Sequence, residues 1–181
     1  MRRMRRLPIL LAPLALALAT AAAAVAQSRE PVSALKGHNS DAPIDLTADR
    51  LEVQDRADRA IFAGNVHVKQ DDLTLDTSRL TVAYSSSGGV QIKRLDASGG
   101  VTVRSPSETA RGSFGIYDLD RKLITLVGNV VLQRQGSQLS GQRLVIDLDS
   151  GRAIIDGGPA GVGQSGGRVT GHFTVPQRRG S

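Results

Sequence analysis

The sequence predicts an all-β protein assembled from repeated antiparallel hairpins. Two observations carry this. From Ile44 to Asp156 apolar and polar residues alternate with a period of two, the mark of strands with one buried face. A phrase also recurs: Ala60-Ile61-Phe62-Ala63-Gly64-Asn65-Val66-His67-Val68-Lys69 is echoed by Leu123-Ile124-Thr125-Leu126-Val127-Gly128-Asn129-Val130-Val131-Leu132. A fainter copy runs from Leu95 to Arg104 around Gly99-Gly100. A Gly inside a strand marks a bulge or a sharp bend, so each copy reads as a strand broken once.

The elements follow in order. Met1 to Arg6 is a basic segment, Leu7 to Val25 is an apolar run, and Ala24-Val25-Ala26 is an A-x-A cleavage site. Residues 1–26 therefore read as a signal peptide, and 27–41 as a flexible polar leader. A retained membrane anchor is the alternative for the same run. Ala42-Pro43 opens a first strand, Ile44 to Ala48. A second repeated phrase follows: Arg50-Leu51-Glu52-Val53, Arg79-Leu80-Thr81-Val82 and Arg143-Leu144-Val145-Ile146, with Ser113-Phe114-Gly115-Ile116 in the remaining slot. Each precedes a polar turn that leads into the next strand. Residues 42–156 thus form about four units of roughly 30 residues, a period typical of repeat architectures. Residues 157–181 differ. Seven Gly fall within 157–171, and 167–176 reads as a final strand before the tail.

Composition excludes several functions. The formal charge of +6 belongs to the ends. Residues 1–26 hold four Arg and no acid, and Arg168, Arg178 and Arg179 lie beyond Asp156, which leaves 16 basic against 17 acidic residues in 27–156. That is no basic face for nucleic acid. Trp is absent and aromatics are 3%, too few for a base-stacking or sugar platform. There is no Cys, so an exported fold must hold without disulfides. The pairs Asp71-Asp72 and Asp118 with Asp120 sit in turns, where Asp serves the backbone. His38, His67 and His172 lack metal-ligand spacing, and no nucleophile elbow or phosphate loop occurs. Neither an enzyme nor a cofactor is expected.

What remains is the apolar face. Parity puts Phe62, Val66 and Val68 on one side of a strand, with Leu126, Val130 and Leu132 as their counterparts and Val101 and Val103 in the same set. Leu73 with Leu75, Leu80 with Val82, Phe114 with Ile116, and Leu144 with Ile146 alternate similarly. Pattern alone does not separate a filled core from a slot for acyl chains, and close packing is the default.

Pro43-Ile44-Asp45-Leu46-Thr47-Ala48-Asp49, Phe62-Ala63-Gly64-Asn65-Val66, Ala83-Tyr84, Gly99-Gly100-Val101, Tyr117-Asp118, Leu126-Val127-Gly128-Asn129-Val130 and Gly141-Gln142-Arg143-Leu144, in that order, resemble the OstA-like (LptA) family of periplasmic lipopolysaccharide-transport proteins. The resemblance implies an open, twisted, V-shaped β-jellyroll. It implies a periplasmic carrier that holds the acyl chains of lipid A between two sheets. It further implies end-to-end self-association, an LptC-like inner-membrane subunit and an LptD-like outer-membrane translocon as partners, and no chemistry on the cargo. Carried over by position, the lipid-contacting set is Ile44, Leu46, Phe62, Val66, Val68, Leu73, Leu75, Leu80, Val82, Val101, Val103, Phe114, Ile116, Leu126, Val130 and Leu132. Asp71-Asp72 departs from the family's usual Gly-containing turn. Two alternatives stay open: a membrane-anchored LptC-like subunit of the same pathway, and a non-carrier structural β-repeat.

Overall fold

The computed structural model describes Leu35, residues 38–158 and residues 167–174. The signal-peptide reading of 1–26, and most of the leader, lie outside the described residues. Ten strands follow one another among the described residues: β1 (Ile44–Thr47), β2 (Arg50–Gln54), β3 (Arg59–Gln70), β4 (Leu73–Ser85), β5 (Gln91–Arg104), β6 (Glu108–Asp118), β7 (Leu123–Arg134), β8 (Ser137–Asp147), β9 (Arg152–Asp156) and β10 (Thr170–His172). A 3₁₀ turn at Asp55–Ala57 is the only helical element among the described residues. All pairings are antiparallel, each of β3 to β8 pairs with the next, and β1 and β2 both pair with β3 while β9 and β10 both pair with β8.

The long strands break in register along one line. Gly64-Asn65 of β3 lies opposite Ser78, Gly99-Gly100 of β5 opposite Ser78 and Ser113, and Gly128-Asn129 of β7 opposite Gln142. Both members of each pair have positive φ, from +43° at Asn65 to +84° at Gly99 and Gly100. Gly adopts that region without a Cβ clash, and Asn is the side chain that tolerates it best. The recurring Gly-Asn pair is therefore a bulge that turns the strand. The partner strands place short or polar side chains there: Ser78 Oγ donates to the Gly99 carbonyl (2.9 Å) and Ser113 Oγ to that of Gly128 (3.2 Å). Asp49, between β1 and β2, donates its backbone N–H to the Gly64 carbonyl (2.9 Å) and accepts from Asn65 Nδ2 (2.8 Å).

This line divides the sheet into two arms. Arm one holds β1, residues 66–70, 73–77, 101–104, 108–112, 130–134 and 137–141, and β10. Arm two holds β2, residues 59–63, 79–85, 91–98, 114–118, 123–127 and 143–147, and β9. Inward side chains of both arms form one apolar cluster, so the arms face each other as an open, folded-over β-jellyroll. The Asp71-Asp72 turn closes the β3–β4 hairpin with Asp71 at φ +52°, a conformation Asp adopts readily. The first strand ends at Thr47 rather than Ala48, and among the described residues 167–174 only Thr170–His172 pairs.

Candidate functional site: the apolar interior between two arms

The inner face is built from alternate residues of six long strands. Val66, Val68, Leu73, Leu75, Leu80, Val82, Val101, Val103, Leu126, Val130 and Leu132 are buried in it, and Ile44, Leu46 and Phe62 pack partly buried against it. Phe114 and Ile116 do not belong there. They are 57% and 40% exposed, and the inward positions of that stretch of β6 are Gly115 and Tyr117. The reason is the fold line. The bulged strands β3, β5 and β7 use two residues to cross it and keep their parity, as Leu95 and Ala97 precede Val101 and Val103. The unbulged strands use one and shift, as Leu75 and Thr77 precede Leu80 and Val82. On β6 the shift at Ser113 sends Ala110 and Tyr117 inward and leaves Phe114 on the outer surface.

Other inward residues lie outside the carried-over set: Leu95, Ala97, Ala110, Tyr117, Ile124 and Leu148 are buried in the same cluster, as are Leu144 and Ile146, which alternation places there. Leu95, Ala97, Ile124 and Leu148 continue the alternation of their own strands, whereas Tyr117, beyond the shift on β6, is found only from strand register across the break. Gly115 hides the signal further. A Cβ there would stand 3.0 Å from Leu126 Cδ2 and 3.1 Å from Val101 Cγ1, so the tightest inward position of the stretch carries no apolar side chain at all.

The interior differs along its length. Between Ile44, Val68, Leu75, Val103, Tyr117 and Ile124, contributed by both arms, the remaining cavity is about 10 Å³, and Ile116 borders it from its exposed position. At the β8–β10 edge the space widens to about 570 Å³, lined by Leu132, Leu139, Ala153, Ile155, Val169 and Phe173. At the opposite edge β2 pairs Leu51 with Phe62 and Val53 with Ala60. Leu51 and Val53 thus share the inner face, yet each is 54% exposed because no strand lies beyond them. Both ends of the interior present uncovered apolar side chains.

The fold and this interior can be set beside known proteins. Residues 45–152 match the family described as LptA/(LptD N-terminal domain) LPS transport protein. The chain belongs to this family. An uncharacterized protein of Rhizobium meliloti (strain 1021) is 34% identical over 125 residues, covering 65% of this chain and 67% of that protein. The crystal structure of LptH, the LptA-homologous periplasmic component of the lipopolysaccharide transport device of Pseudomonas aeruginosa, superposes with a TM-score of 0.67 at 16% identity. The match covers 76% of this chain and 99% of LptH, and shows a common fold.

The LptA family is one of transport proteins, and the polar clusters of this chain have structural partners. Asp118 Oδ1 accepts the Arg121 N–H (2.9 Å), and Asp120 pairs with Lys93 (3.3 Å). On the outer face of arm one, Asp76 is held by His67 (2.7 Å) and Arg104. Burial pushes its carboxyl up, but the hydrogen bonds and charges of His67 and Arg104 outweigh that and set it below the usual carboxylate range. Inside, the Tyr117 hydroxyl of arm two donates to Gln70 Oε1 of arm one (2.9 Å), and burial raises the tyrosine above its ordinary value. His38 bonds Gln70 Oε1 (3.2 Å) through Nε2 and Asp72 (3.0 Å) through Nδ1. Ligand atoms of His38, Asp71 and Asp72 lie within 4.8 Å of one another, a grouping that sequence spacing does not show. Both nitrogens of His38 are already engaged, and among the described residues no buried side-chain polar atom lacks a partner.

Proposed function

We propose that this chain is a periplasmic lipopolysaccharide carrier. It shelters the acyl chains of lipid A between its two arms and leaves sugars and phosphates outside. It bridges an LptC-like inner-membrane subunit and an LptD-like outer-membrane translocon, with copies associating end to end. The observation that carries this reading is an apolar interior that spans the sheet and stays uncovered at both ends. Each CH₂ sheltered from water gains about 0.8 kcal/mol, so a multi-chain lipid needs such a path to cross an aqueous space. The wide end, at about 570 Å³, is of the size that ligand pockets have. The near-neutral charge of 27–156 makes cargo contact mainly apolar.

The narrow middle, at about 10 Å³, favours the rival reading of a filled structural core. Photo-crosslinkers at Ile44, Phe62 and Leu139, with Phe114 as an outer-face control, separate the two. The carrier predicts lipopolysaccharide adducts at the first three and none at Phe114. Adducts at none of them would sink it. Amino-terminal sequencing of the mature protein distinguishes the bridge, which begins at Gln27, from an anchored LptC-like subunit, which keeps Met1.

A further inference from the structure

The described end of the leader packs into the apolar interior. Leu35 is 2% exposed and belongs to the apolar cluster between the arms. Three residues on, the side chain of His38 is fully buried. Residues 38–42 then run to β1, held chiefly by Gln70, with Asp72 on His38 Nδ1 (3.0 Å). Gln70 Nε2 donates to the carbonyls of Ser40 (2.8 Å) and Ala42 (3.0 Å). Those two bonds fix its amide orientation and make Oε1 the acceptor for both Tyr117 Oη–H (2.9 Å) and His38 Nε2–H (3.2 Å). Gln70 and Asp72 belong to the arm-one tip, Tyr117 to arm two. One amide therefore ties the leader to both arms.

We propose that Leu35 and residues 38–42 form a displaceable strap, latched by Gln70, that occupies the acyl path until cargo replaces Leu35. This rests on the carrier reading above and adds a gate to it. Three facts point the same way. The only buried apolar side chain described before β1 is the one that enters the interior. The interior beside the latch residues Gln70 and Tyr117 is closed to about 10 Å³, while the β8–β10 end, which no described leader residue lines, opens to about 570 Å³. The strap is held chiefly by side-chain hydrogen bonds rather than by a strand ladder, and such segments open locally at low cost. An acyl chain offers the same apolar contact as Leu35 over a greater length, so it is a sufficient competitor.

The chain has no cysteine, so Leu35→Cys provides a single thiol at the point of insertion. Its maleimide labelling rate is measured in the full mature protein, with and without purified lipopolysaccharide, while co-elution on a sizing column measures retention of the lipid. The strap predicts slow labelling alone and labelling about tenfold faster once lipid is retained. Adding Tyr117→Phe to Leu35→Cys should speed labelling about fivefold without lipid, the effect of one hydrogen bond, and His38→Ala, which removes two, should speed it further. Retained lipid with unchanged labelling overturns the strap and leaves the carrier standing. No retained lipid overturns the carrier, and the strap with it. Fast labelling in the absence of lipid and of any latch substitution also overturns the strap.

Discussion

The most informative residue is Gly115, because its neighbours mislead. Phe114 and Ile116 are large and apolar, and alternation assigns them to the core. The inward position is Gly115, where Leu126 and Val101 leave no room for a methyl group without movement. Gly115→Ala should cost about 1–3 kcal/mol by overpacking, whereas Phe114→Ser should stay within about 0.5 kcal/mol. Urea unfolding of both variants checks this, and a larger loss at Phe114 would reverse the assignment. Asp76 gives a second test at this scale. Its carboxyl is held below the usual range in the folded chain, so the ionised form is favoured by folding. That stabilisation is complete above the unfolded carboxylate value of about 3.9 and is lost as pH falls through the lower folded value. The side chain is 41% exposed, so the contribution is small and weakened by salt. The melting temperature of Asp76→Asn should trail the wild type at pH 6 and converge on it below about pH 4. A gap that persists unchanged into acid would show that the ion pairs of Asp76 contribute nothing.

Among the elements, the fold line is what the sequence displays and then obscures. The Gly-Asn pairs are legible because only a few residue types accept positive φ, and their recurrence announced a bend at each. Gly128, at φ +81° with Ser113 Oγ 2.9 Å from a would-be Cβ, meets both constraints. Gly128→Ala should cost roughly 1–2 kcal/mol or more, while Asn129→Gly, already at φ +48°, should change stability by less than about 0.5 kcal/mol. Equal effects in thermal melts would mean that the line is not held by backbone conformation. The unbulged strands were harder to read. Nothing in Arg111-Gly112-Ser113-Phe114 says that the chain crosses the line with one residue where its neighbours use two. That parity shift is a property of the paired strands, so it was recovered on β4, where Leu75 and Leu80 flank it, and lost on β6, where Gly115 replaces the cue. The described end of the leader carries no cue for a related reason. Expected to be a flexible polar segment, it places Leu35 and His38 in the interior. One Leu among polar residues carries no period, and the Gln70 that holds His38 stands 32 positions away from it.

For the whole molecule, the two sheet edges decide whether copies and cargo meet end to end. Leu51 and Val53 face inward on β2 with nothing beyond them, and Leu139, Ile155 and Phe173 line the opposite end. A monomer leaves these side chains in water, which costs free energy that only a partner or a lipid recovers. If ends abut, β2 of one copy lies against the wide end of the next, and the interior becomes continuous across the junction. Leu51→Asp with Val53→Asp then has separable effects. Both positions are already half exposed, so folding stability should change by no more than about 1 kcal/mol. Self-association should weaken about tenfold or more, since two apolar contacts become charged. Glu52→Lys lies between them on the other face of the same strand, opposite Ile61, and should leave association nearly unchanged. Sedimentation equilibrium of the three proteins measures the constants, with chemical unfolding run in parallel. Association lost equally in Glu52→Lys and in the double variant would assign the contact to the outer face of β2. Association untouched in both would remove β2 from the junction.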